Sequence, residues 1–124
     1  MCGAVRYRVT PPTLWCAHCH CTLCRAAHGA AFVTWVGVAA DGFRIVKGNE
    51  RLASYHSTPE ATRRFCTACG TTMTFESSRW PGEVHLTRAS FDGEIDRQVS
   101  KNAYPETVAA WSGGMPAVVA PPGD

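Results

Sequence analysis

Seven of the 124 residues are cysteine, and four of them fall, with two histidines, inside the eleven residues WCAHCHCTLCR at 15–25. No other feature restricts the fold as much, because soft ligands at this density end as a disulfide framework, a redox centre or a metal site. An odd number of cysteines does not close a disulfide framework. The chain opens MCGAVRY, a strand-like alternation with no apolar segment ahead of it, so no secretory or lipoprotein signal is expected. The expected compartment is the cytoplasm, where thiols stay reduced and clustered cysteines bind metal or do chemistry.

Charge narrows the partners. Twelve Lys and Arg against ten Asp and Glu give a net charge of +2, and the longest basic run is the pair Arg63-Arg64. That is too little for the clustered basic stripe of a nucleic-acid binder. The longest stretch without charge, 107–123, is broken by Gly113, Gly114, Pro116, Pro121 and Pro122 and is shorter than a membrane span. Neither nucleic acid nor membrane is an expected partner.

A chain of this length supports one hydrophobic core. Alternation and turn residues predict short strands at 5–9, 13–19, 30–38, 62–66, 71–76 and 83–89. Two more, at 43–46 and 52–56, read as a hairpin about the turn Lys47-Gly48-Asn49-Glu50. Helical turns are expected only after Cys21 and at 105–111, and from Ser112 a Gly- and Pro-rich tail runs to 124. The expectation is a small, single, mainly-β domain over 1–111.

Cys66-Thr67-Ala68-Cys69-Gly70 has the C-x-x-C-G form of a zinc knuckle, in which a tight turn aims two thiolates at one ion. A redox C-x-x-C sits at a helix start after a βαβ-type strand, and no helical pattern follows Gly70. Cys19, Cys21 and Cys24 form C-x-C-x-x-C. Three thiolates on one tetrahedral zinc leave a position open for water or substrate, as catalytic sites do; alternatively, some of them join Cys66 and Cys69 in one all-cysteine site. Both arrangements stay open on spacing alone. Cys16 falls on the opposite strand face from Cys19, where it serves a different site or is a buried, inert thiol. His18 and His20 read as residues that line the site or face solvent, and His28, His56 and His85 as isolated structural histidines.

CGAVRY, HCHCTLCRAAHGAAF and FCTACG, in this order and separation, resemble the signatures of the glutathione-dependent formaldehyde-activating enzyme family, to which centromere protein V is related. The resemblance runs from Cys2 to about Trp111 and implies small, coiled antiparallel sheets stabilised by zinc at two sites. It implies an open, catalytic-type zinc on Cys19, Cys21 and Cys24, and a structural zinc on Cys66 and Cys69 completed from the N-terminus. Family members open with C-x-C-G, whereas Met1-Cys2-Gly3 offers only Cys2, so the fourth ligand is either upstream or absent. The implied activity is that of a carbon–sulfur lyase acting on S-hydroxymethylglutathione or a similar small thiol adduct. The alternative is a non-catalytic zinc-stabilised binding module, or a thiol or aldehyde carrier or sensor. Glutathione, with two carboxylates and an ammonium, calls for cations, and Arg25 beside the trio is the candidate contact. Arg63, Arg64, Arg79 and Arg88 are further cations, with Trp35 and Trp80 as groove walls, although the residues by themselves read first as exposed charges and core aromatics.

Two sites per chain predict two zinc ions by elemental analysis of the purified protein. A single zinc bound jointly by both cysteine groups would refute the two-site expectation.

Overall fold

A computed structural model describes residues 1–119; residues 120–124, the end of the expected Gly- and Pro-rich tail, lie outside it. Nine strands and one α-helix, with five short 3-10 turns, make the architecture of the described residues: β1 (Arg6–Val9), β2 (Trp15–Cys19), α1 (Thr22–His28), β3 (Val33–Ala39), β4 (Phe43–Lys47), β5 (Leu52–Thr58), β6 (Ala61–Cys66), β7 (Thr72–Ser77), β8 (Glu83–Thr87) and β9 (Lys101–Ala103). Seven strands form one sheet in the order β5-β6-β7-β8-β3-β2-β9, and β1 pairs with β4 in a second sheet. The mainly-β expectation holds, with one parallel pairing, β2 against β9, at the sheet edge.

The expected hairpin does not form. β4 pairs with β1 and β5 pairs with β6, so the chain leaves one sheet for the other between them. Gly48 marks that crossing: its φ is +77°, and a Cβ there would stand 1.9 Å from the Ala4 carbonyl oxygen. The glycine is needed for close passage of two backbones, and not for a two-strand turn.

β3 lies at the centre of the buried part of the sheet, and its alternation sorts the core into two faces. On one face Val36 and Val38 pack with Cys16, Val84 and Leu86, under Tyr7, Phe43 and Phe91. On the other, Val33 and Trp35 pack with Cys19, Cys24, Trp15 and Phe75. This second face carries a row of cross-strand partners: Trp15 opposite Gly37, Gly37 opposite His85, His85 opposite Phe75, and Phe75 opposite Arg63. The indole of Trp15 lies across Gly37, where an added Cβ would meet Trp15 Cε2 at 2.2 Å. The segment beyond Ser112 returns to this sheet, with Asn102 Nδ2 donating to the Pro116 carbonyl at 3.1 Å and the Val119 amide to the Val99 carbonyl at 2.8 Å. Among the described residues no helix is long and apolar enough to cross a membrane.

Two measurements test this packing. Gly37→Ala is expected to destabilise the fold by about 3 kcal/mol, since Trp15 must move off the strand; an unchanged urea midpoint would mean the indole is not packed there. The Tyr7 hydroxyl lies 2.7 Å from Ser90 Oγ, and burial pushes its pKa up to about 12 from the ordinary 10. The folded state thus favours the neutral phenol. Its contribution is complete below pH 10 and is lost as the pH rises towards 12, by about 2–3 kcal/mol at most. Tyr7→Phe should flatten the stability curve across that window, and parallel curves for the two proteins would contradict this burial.

Candidate metal centre and its cavity

The first cysteine group is built at the junction of β2 and α1. Cys19 ends β2, and Cys21 is the N-cap of α1, with an extended backbone and a sulfur that accepts the Cys24 amide N–H at 3.3 Å. The same C-x-x-C spacing therefore starts the helix and brings the third sulfur round beside the first two. Gly29, in the left-handed conformation, ends the helix, with the Ala30 amide donating back to the Arg25 carbonyl at 3.1 Å. The three sulfurs of Cys19, Cys21 and Cys24 all lie within 4.8 Å of one another.

The second group joins the N-terminus to the β6–β7 turn. Cys66 ends β6, packed against Val5 and Met73, and Gly70, at φ +80°, closes the knuckle by donating to the Cys66 carbonyl at 2.7 Å. The sulfurs of Cys2, Cys66 and Cys69 also lie within 4.8 Å of one another. The two trios stay separate, and no single site takes thiols from both.

Both groups fit zinc. Two sulfurs on one tetrahedral zinc, each about 2.3 Å from the ion, lie about 3.8 Å apart. Cys19 and Cys24 are separated by 3.6 Å and Cys2 and Cys66 by 3.9 Å. A disulfide would need about 2.05 Å, and all seven cysteines are free thiols. One thiolate per group is already favoured. The Cys21 thiol is held down to about 2 by hydrogen bonds from the Cys19 and Cys24 sulfurs, while sharing with Cys21 and burial push Cys19 up. The Thr71 hydroxyl, 3.1 Å away, and the Thr71 backbone N–H hold Cys69 down to about 6.

The first trio lines a cavity of about 830 Å³, walled by Trp15, Trp35, Phe75 and His85 from the second face of the sheet and by Trp80 from the turn between β7 and β8. Trp35, 4% exposed, is at once a core aromatic and part of this wall. Trp15, Phe75 and His85 were not anticipated, because only the register places them in one row. Glu83 Oε1 joins two of these walls, at 3.1 Å from Trp15 Nε1 and 2.9 Å from His85 Nε2. Burial holds the His85 pKa below its ordinary value.

Arg25 does not line this cavity. One residue past Cys24 it points some 100° further round α1, where it donates to the Thr107 carbonyl at 2.9 Å and lies 5.7 Å from the Trp111 ring. Arg63, Arg79 and Lys101 are the cations in the cavity wall. Arg64 and Arg88 pair with Glu76 and Glu94 elsewhere.

One histidine also differs from expectation. His20 neither lines the cavity nor faces solvent: it is 0% exposed, with Nε2 2.8 Å from Asn102 Oδ1. β9 covers this edge, a strand that no strong alternation announces. His18, half-buried, is bonded through Nδ1 to Thr34 Oγ1 at 2.8 Å. His28 packs edge-on against Trp35, and His56 is exposed on β5. Cys16, 1% exposed in the opposite core, belongs to neither trio.

A Halomonas elongata protein named "Putative glutathione-dependent formaldehyde-activating enzyme" is 31% identical over 103 residues, which cover 77% of this chain and 65% of the Halomonas protein. A crystal structure of a Rhodobacter sphaeroides protein shares the fold, with a TM-score of 0.67 at 24% identity over 82% of this chain and 94% of the other. The family model for the glutathione-dependent formaldehyde-activating enzyme matches residues 1–112, nearly all of the described structure, and the chain belongs to that family.

Proposed function

We propose that this protein binds a small thiol, glutathione in the first instance, and interconverts it with its hydroxymethyl adduct as a zinc-dependent carbon–sulfur lyase. The observation that carries this reading is the opening of the Cys19, Cys21 and Cys24 sulfurs into an aromatic cavity large enough for a tripeptide thiol. On this reading Cys19, Cys21 and Cys24 hold the catalytic zinc, and Cys2, Cys66 and Cys69 hold a structural one. When bound to the first trio, zinc supplies a soft Lewis acid that accepts a fourth sulfur and keeps an incoming thiol deprotonated near neutral pH.

The chain's own residues do the rest. Cys21 and its partners present a preorganised anionic set, so no strand has to move to create it. Trp15, Trp35 and Trp80 exclude water from the sulfur end of the cavity, which strengthens electrostatic interactions there. Arg79 and Lys101 offer charge for the substrate carboxylates. The family match and the Halomonas relative support glutathione and formaldehyde as the substrate pair. Free thiols in both groups suit a reducing compartment such as the cytoplasm.

Calorimetric titration with glutathione, followed by NMR measurement of its exchange with formaldehyde, tests the proposal. Cys24→Ser should lose one of two zinc ions, keep the fold, and lower kcat/KM at least about 100-fold. Binding without any acceleration of exchange would leave a carrier or binding module, and no heat with a panel of thiols would remove the thiol site altogether.

A further inference from the structure

One buried cation beside the sulfurs keeps a donor that nothing among the described residues satisfies. Arg63, on β6, is 5% exposed. Its Nε donates to Ser57 Oγ at 3.1 Å and its Nη2 to Cys24 Sγ at 3.6 Å, and its guanidinium lies 4.9 Å from the Phe75 ring. Among the described residues no carboxylate pairs with it. Its Nη1 is buried without any hydrogen-bond partner, although the side chain forms part of the cavity wall. A donor left unsatisfied in this way carries a desolvation cost, larger when the group is charged. The described residues supply no acceptor, and the side chain borders the cavity, so a molecule seated there is the source we assign to it.

We infer that Arg63 is a catalytic residue, whose Nη1 binds the oxygen one carbon removed from the substrate sulfur; the inference rests on the function proposed above and adds to it. Position selects that oxygen. Nη1 and Nη2 lie about 2.3 Å apart in the planar guanidinium fork, so Nη1 is within about 6 Å of Cys24 Sγ. An acceptor on Nη1 therefore lies within about 9 Å of Cys24 Sγ, a span that an oxygen two bonds from a sulfur seated on the trio can meet. In an S–C–O unit the oxygen is two bonds from that sulfur, whereas the carboxylates of glutathione are several bonds more distant.

The chemistry balances without an oxidant or reductant. The thiolate lone pair forms the C–S bond, the carbonyl π pair moves onto oxygen, and the resulting alkoxide faces the guanidinium until water protonates it. In reverse, hydroxide removes the hydroxyl proton, the π bond re-forms, and the C–S pair returns to sulfur. Charge appears on oxygen only as the reaction proceeds, so a fixed cation there stabilises the transition state more than the free thiol. Cys24, held by Nη2, fixes the aim of the fork.

The test compares wild type, Arg63→Gln and Arg63→Lys as zinc-loaded proteins. Zinc content, affinity for glutathione alone, affinity for glutathione premixed with formaldehyde, and the kcat and KM of exchange are measured for each. Wild type should bind the adduct more tightly than the thiol. Arg63→Gln should keep both zinc ions and its thiol affinity within about threefold, lose the preference for the adduct, and lose about 100- to 1000-fold in kcat/KM, mostly in kcat. Arg63→Lys keeps the charge but cannot hold Cys24 and the oxygen together, and should fall at least about tenfold; it carries the test if the glutamine variant does not fold. Equal weakening of thiol and adduct in either variant, or wild-type adduct preference and rate in Arg63→Lys, would overturn the role. A wild type that binds neither ligand would instead refute the thiol-site function itself, and this inference with it.

Discussion

Three sulfurs within 4.8 Å of one another are tolerated only when protons, a cation or a metal ion compensate the charge that collects on them. Much of the larger sheet is arranged round that requirement. β2 delivers Cys19, the first turn of α1 delivers Cys21 and Cys24 through its own cap, and β6 brings the Arg63 guanidinium against Cys24. Each contribution comes from backbone geometry that is already paid for by regular secondary structure. The three sulfurs are consequently held by regular elements and line the cavity.

The cavity has a similarly simple origin. In a sheet, directly opposed residues share a face, and the row from Trp15 through Gly37, His85 and Phe75 to Arg63 places five chemically different groups on one surface. The missing side chain at Gly37 makes room for the Trp15 indole to lie flat across the strand. Glu83 then ties that indole to His85. The apolar wall is thus held in place by a carboxylate, which fixes ring orientation in a way that packing alone does not.

The sequence made the ligands legible because cysteine spacing is local: C-x-C-x-x-C and C-x-x-C-G each lie within a few residues of one turn. Alternation likewise separated Cys16 from Cys19, which occupy opposite core faces. What alternation does not encode is the partner of each strand. Gly48 looked like a hairpin turn because its neighbours are turn formers, but the need it meets is set by Ala4, distant in sequence. Arg63 was one of several unremarkable arginines until register put it opposite Phe75. β9 was missed for a related reason: three residues carry too little pattern to be read, and pairing with β2 is what makes them a strand.

That short strand links the site to the order in which the chain is made. Asn102 reaches His20, 82 positions earlier, and Ala103 pairs with Cys19 itself. Contacts of such separation close late, after shorter loops have formed. A ribosome therefore releases the thiols of Cys19, Cys21 and Cys24 long before the strand that shields their edge has emerged. During that interval the nascent trio lacks the edge strand that pairs with Cys19 in the folded chain.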